Sequence, residues 1–192
     1  MNIFTKEFSP PQTLTTKTFC LFPTHQDFYE SDYTAVMNTR ALLRIWSQSP
    51  WPEDDFTPQM NKDDLLHHIE DNKTHAAYGY MIYSLDKKTC YGSLYVNPLA
   101  AVPDNYHTTK EEADLVRSHQ GRLDCWIVDE NSDLEKTIIS EIKNWFESTW
   151  KIKFLFSARV GMNKRISIYE DLGLECQADL KSKTSEMTLL LF

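Results

Sequence analysis

The chain has 192 residues, with 41% apolar and 25% charged side chains and a formal net charge of −8. That size suits one domain with a substantial core. The acidity, with no sustained basic stripe, excludes nucleic acid as an expected partner, and no apolar run approaches the roughly 20 residues of a membrane helix.

The start, Met1-Asn-Ile-Phe-Thr-Lys-Glu7, lacks the basic and apolar regions of a signal peptide. Residues 1–14, with Pro10-Pro11, read as a loose arm ahead of a single domain over 15–192. Lys17–Phe22 reads as a first strand closed by Pro23. Helical spacing follows over 32–47, with Tyr33, Val36, Met37, Leu43 and Trp46 on one face. Ser49-Pro-Trp-Pro52 ends it. Asn61 looks like the cap of a second helix that buries Leu65, Leu66 and Ile69.

The period then changes. Residues 76–83 and 90–96 are β-rich and joined by a hairpin-length connection. Residues 98–120 are polar and irregular, with a short helix expected near 110–118. Leu123–Val128 reads as another strand. Ser132 and Glu135 have capping-box spacing, and the helix they open buries Leu134, Ile138, Ile139, Ile142, Trp145 and Phe146 before ending near Trp150. Ile152–Phe156 is strand, Asn163–Leu172 is helix with Asn163 as cap, and Gly173 is its left-handed stop. Two strands, 176–180 and 187–192, close the chain.

This order predicts an α/β (α+β) domain, a mostly antiparallel mixed sheet of six to seven strands flanked by about four helices. Cys20, Cys90, Cys125 and Cys176 show no Cys-x-x-Cys spacing and read as buried free thiols, which fits a reducing cytoplasm. No His/Cys/Asp set has zinc spacing, so no metal is expected.

The segment Lys153–Leu174 carries Asn163, Tyr169 six residues later and Gly173 four after that. This resembles the C-terminal half of the GCN5-related N-acetyltransferases, the GNAT superfamily, and the resemblance extends over roughly 17–192. Trp51-Pro-x-x-Asp55-Phe56-Thr57 and Gly92–Pro98 resemble one branch of acetyltransferase-like proteins within it. The resemblance implies the acyl-CoA N-acyltransferase fold and acetyl-CoA as cosubstrate. It also implies transfer of an acetyl group to a primary amine of a small molecule or peptide, with Tyr169 as general acid. It places the cofactor along the strand before the long helix, at Ile127, Val128, Asp129, Ser132, Asp133 and Leu134, with a further contact from Asn163. Trp46, Trp51 and Phe56 would wall the acceptor pocket.

One segment departs from the family pattern. Family members carry an Arg/Gln-x-x-Gly-x-Gly/Ala loop around the pyrophosphate. This chain has Asp129-Glu-Asn-Ser-Asp-Leu-Glu135, with no glycine and four acids. A helix N-terminus offers only about half a positive charge, so cofactor affinity is expected to be weakened, moved to other contacts, or lost. Lys136, Asn163, Lys164 and Arg165 are the nearest replacements. For a general base the chain offers Glu53, Asp54, Asp55, His67, His68 and Glu130. The alternative is a catalytically degenerate GNAT-fold binding or regulatory protein. A homodimer pairing through an edge strand at Met187–Phe192 is a third expectation.

Overall fold

The computed structural model describes residues 2–128 and 132–192, and only the backbone of Ser132 and Asp133. In chain order its elements are β1 (Leu14–Thr15), β2 (Cys20–Pro23), α1 (Tyr29–Asn38), α2 (Arg40–Ser47) and α3 (Pro58–Thr74), then β3 (Tyr78–Tyr83) and β4 (Cys90–Asn97). Next come α4 (Val102–Asn105), α5 (Lys110–Ser118), β5 (Gly121–Ile127), α6 (Ser132–Trp145), β6 (Phe154–Arg159), α7 (Asn163–Asp171), β7 (Ala178–Lys181) and β8 (Thr188–Leu191). The strands form one sheet in the order β1-β2-β3-β4-β5-β6-β8-β7. Every neighbouring pair is antiparallel except β5 and β6.

Alternation along the strands builds two cores. Leu123, Cys125 and Ile127 of β5 share one apolar cluster with Ile138, Ile139 and Ile142 of α6 and with Ile168 and Tyr169 of α7. Trp126 of β5 joins Val36, Leu43, Phe56 and Leu65 from the α1–α3 side. The expected apolar face of α6 is buried, each large side chain contributing about 1.5–3 kcal/mol. The helix ends in one π-helical turn at Phe146–Trp150, whose two rings stack at 4.7 Å.

Several expectations are corrected. The single helix over 32–47 is two, broken at Thr39. The α3 helix begins at Pro58 with Thr57 as its cap, so Asn61 lies inside it and is buried. Leu66 faces solvent. Residues 2–15 are not loose: Ile3 is in the core, the Tyr78 hydroxyl donates to the Ile3 carbonyl, and Tyr80 donates to Pro11 O at 2.8 Å. Polar groups of β3 hold that arm, which is why its own sequence carried no period. The strand at Thr188–Leu191 lies between β6 and β7, so it has no free edge for pairing across subunits. Cys176 is exposed, whereas the other three thiols are buried.

Two glycines carry the geometry. Gly173 has φ +74° and stops α7 as expected. Gly92 has φ +142°, and a Cβ there would lie 2.1 Å from the Trp126 carbonyl oxygen. Only glycine lets β4 press this closely against β5. No helix among the described residues is long and apolar enough to cross a membrane.

Candidate active site

β5 and β6 pair only at Gly121–Phe154, Arg122–Leu155 and Leu123–Phe156. Beyond Leu123 no pairing between them continues, and the two strands splay. The N–H and C=O of one strand residue point to the same side, and the side alternates. Val128 N donates to Tyr91 O near the start of β4 (3.0 Å), so Val128 faces β4. Ile127 and Cys125 therefore turn their backbone groups into the splay. Of the two backbone donors expected here, Ile127 is available and Val128 is taken.

Two α7 side chains, one turn apart, cap the diverging strands. Arg165 Nη1 donates to Cys125 O (2.7 Å), and the Tyr169 hydroxyl donates to Ser157 O (3.1 Å). Arg165 is 2% exposed and Tyr169 is fully buried. Arg165 Nε donates to Glu135 Oε1 on α6 (2.6 Å), and Nη2 has no partner. Lys164 reaches Glu135 Oε2 at 3.1 Å. The Glu135 carboxylate thus joins α6 to α7. Burial pushes the Tyr169 phenol up to about 12, against the opposing pull of Arg165, so it is neutral at pH 7.

Of the other expected cofactor contacts, Leu134 is half-buried and lines a hollow of about 540 Å³ with Val128 and Tyr91. Asp129 lies outside the described residues, as do Glu130 and the side chains of Ser132 and Asp133. Asn163 opens α7 but is exposed and does not cap it, because Met162 holds the cap position with no side-chain hydrogen bond. Lys136 is paired with Asp171 at 2.6 Å.

On the α1–α3 face a cavity of about 470 Å³ opens. Asp124 and Trp126 of β5 and Arg159 of β6 line it, so the splay and the cavity share a wall. Trp46 and Trp51 also line it, while Phe56 lies behind Trp51, ring centroids 5.9 Å apart. His67 and His68 both border the cavity; the His68 ring packs at a tilt against Tyr95, centroids 4.6 Å apart, and burial lowers its pKa. Glu53 and Asp55 are exposed, and Asp54 is paired with Arg40 and Arg44.

Two aspartates of this cavity were not legible in the sequence. Asp32, on α1, is 3% exposed. Asn61 Nδ2 donates to its Oδ2 (3.0 Å), and Cys90 Sγ lies 3.7 Å from its Oδ1. Burial raises it to about 6. Asp124 is equally buried, and burial alone would raise it. Arg122 Nε (2.6 Å), Arg159 Nη2 (3.3 Å), Asn97 Nδ2 (2.7 Å) and the Ser157 hydroxyl outweigh that and hold it below the ordinary carboxylate range. A polar residue inside an apolar period was the available signal for both. The sequence alone could not say which partners would meet them.

Solved structures with the same architecture include ribosomal-protein-S5-alanine acetyltransferase from Vibrio fischeri, with 13% identity, a TM-score of 0.65 and 94% of each chain covered. The ribosomal L7/L12 α-N-protein acetyltransferase RimL in complex with coenzyme A shows 11% identity and a TM-score of 0.66, over 93% of this chain and 94% of that one. The microcin C7 self-immunity acetyltransferase MccE with acetyl-CoA and AMP shows 11% and 0.64, over 92% and 93%. The chain has the GNAT fold. At these identities the likeness is one of fold. No family model and no curated protein matches the sequence. In this chain the β5/β6 ladder stops after Leu123–Phe156, and the splay opens beside the cavity.

Proposed function

We propose that this protein is an acetyl-CoA-dependent N-acetyltransferase whose acceptor is an amine held in the α1–α3 cavity. The observation that carries the reading is the shared wall: a group seated in the splay reaches the cavity past Asp124, Trp126 and Arg159. The residues of the splay fit an amide-bearing arm. Ile127 turns a backbone donor and acceptor into it, and Arg165 Nη2 is a buried donor with no partner.

Acetyl-CoA would supply the activated acetyl thioester. The chain's own residues would do the rest. Ile127 N–H, turned into the splay, would donate to the thioester carbonyl oxygen and stabilise negative charge on it. Asp32, ionised at pH 7 with a pKa of about 6, would hold the ammonium and accept its proton. The Tyr169 hydroxyl, protonated and resting on Ser157 O, would return a proton to the departing thiolate.

A GNAT-fold binding or regulatory module is the second reading, and one observation favours it: Arg165 and Tyr169 already occupy acceptors on both splayed strands. A thermal-shift series with acetyl-CoA separates the two. At 100 times the dissociation constant the ligand stabilises by about 2.7 kcal/mol. Absence of any shift at millimolar acetyl-CoA, in a folded sample, sinks the transferase reading. A shift followed by amine-dependent release of free thiol supports it.

A further inference from the structure

The cavity has two ends. At one end Arg122 and Arg159 both pair with Asp124, and Asp71 of α3 also lines the cavity. Arg122 engages Asp124 through Nε, and its two terminal nitrogens hold no partner among the described residues. Both arginine side chains are largely buried, at 16% and 12% exposed, so the two free nitrogens of Arg122 are poorly satisfied by bulk solvent. At the other end Asp32 has no cation within ion-pair distance among the described residues, and Asp64, half-buried on α3, adds to the negative side. On the wall that both ends share, Trp126 is 1% exposed and its Nε1 donor has no partner. A guanidinium with two unused nitrogens, a carboxylate with no cation and an unused indole donor in one cavity are costly unless a ligand answers them.

We infer that the acceptor is a zwitterion: an amine that carries a carboxylate on the same small molecule, its ammonium at Asp32 and its carboxylate at Arg122, with Trp126 Nε1 donating between them. This deepens the transferase reading and rests on it.

The spacing follows from β4. Asp32 touches Cys90 at the start of that strand, and Asp124 pairs across from Tyr95 near its end. A bulge after Cys90 sets Cys90 and Tyr95 opposite Tyr83 and Gly79 of β3, four residues or roughly 13 Å apart at about 3.3 Å each. The side chains converge on the cavity, which puts the two charged ends on the order of 10–15 Å apart. A hydrogen bond of about 3 Å at each end leaves roughly 4–9 Å between the ligand's own charges. An α-amino group beside its own carboxylate is too close to span this. The side-chain amine of a diamino acid, or the terminus of a very short peptide, fits.

The test compares L-lysine with cadaverine, which keeps the amine and chain and lacks the carboxylate, and with lysinamide, which neutralises it. Acetylation by the wild-type protein should favour lysine over both by about tenfold or more in kcat/KM, since a charge-assisted pair is at stake. Arg122→Met should bring that preference close to unity. Circular dichroism checks its fold, and Arg122→Lys, which keeps the charge, should retain part of the preference. Equal or better use of cadaverine by the wild type overturns the inference. So does an unchanged preference in a folded Arg122→Met variant. If acetyl-CoA binds and no amine is acetylated, calorimetry of the amines alone decides. Tighter binding of lysine than of cadaverine upholds the zwitterion site while the transferase reading fails, and equal or undetectable binding of the two overturns the site.

Discussion

The two ends of the cavity hold buried aspartates in opposite electrostatic states. Asp124 is surrounded by donors, two of them cationic, and is more acidic than a free carboxylate. Asp32 receives one amide and one thiol, and is less acidic. Burial is similar at both, so partners and not depth decide the sign. One end is built to stay charged as part of the fold. The other carries a charge at pH 7 that the fold itself does not need.

Stability measurements can break this contrast. Asp124→Asn removes the carboxylate and leaves Arg122 and Arg159 uncompensated. Losing one partner of a buried ion pair costs about 3–5 kcal/mol, and chemical denaturation at pH 7 should show a loss of that order. A loss below about 1 kcal/mol would mean that solvent, not Asp124, satisfies the arginines.

Asp32→Asn should act in the other direction. A carboxyl whose folded pKa lies above its unfolded value binds its proton more tightly in the fold. It favours folding below about pH 4, and that contribution is lost as pH rises to about 6. Keeping Asp32 ionised at pH 7 therefore costs about 3 kcal/mol. The variant should be more stable than wild type at pH 7 by up to that amount, with the gain shrinking as pH falls from 6 to 4. The same variant should lose acetyl transfer. A variant that is destabilised at pH 7, or equally active, would end the assignment of Asp32 as base.

Tyr169→Phe sharpens the comparison between cavity and splay. Removing the hydroxyl leaves Ser157 O without its donor, for a stability loss of about 1 kcal/mol. If the phenol also donates a proton, turnover should fall about 10²-fold while acetyl-CoA affinity holds. A drop in stability without that kinetic loss would reduce Tyr169 to the cap of a diverging strand.

Much of the fold was legible because it rests on period. The spacing of Ile138, Ile139, Ile142, Trp145 and Phe146 marked α6, and the apolar runs 76–83, 90–96 and 123–128 marked the central strands, each within two residues of its observed bounds. The segment from Asn163 to Gly173 located α7 within a residue of its end. Boundaries set by side-chain caps were harder. The sequence offered Asn61 for α3 when Thr57 held the position, and Asn163 for α7 when nothing capped it. A capping residue shows its role only through the hydrogen bond it makes, and several candidates compete in each polar stretch.

The site was legible in part. Trp46 and Trp51 line the cavity, and Ile127 faces the splay. Glu135 read as half of a capping box, yet its carboxylate crosses to Arg165, thirty residues away. Arg165 read as one of the nearest replacements for the missing pyrophosphate contacts and is instead among the most buried side chains of the molecule.

What the sequence by itself determined is therefore the order of the main helices and central strands, the apolar face of α6, and the placement of Tyr169 on a short helix after the strand at 152–156. Those follow from near-neighbour spacing, which a chain carries locally. Only the tertiary structure decided that β5 and β6 part after Leu123, that Arg165 and Tyr169 cap the parted strands, and that Asp32 and Asp124 share one cavity with opposite acidity. Each of these depends on long-range partners, and the charge state of a buried group is set by what the fold brings against it.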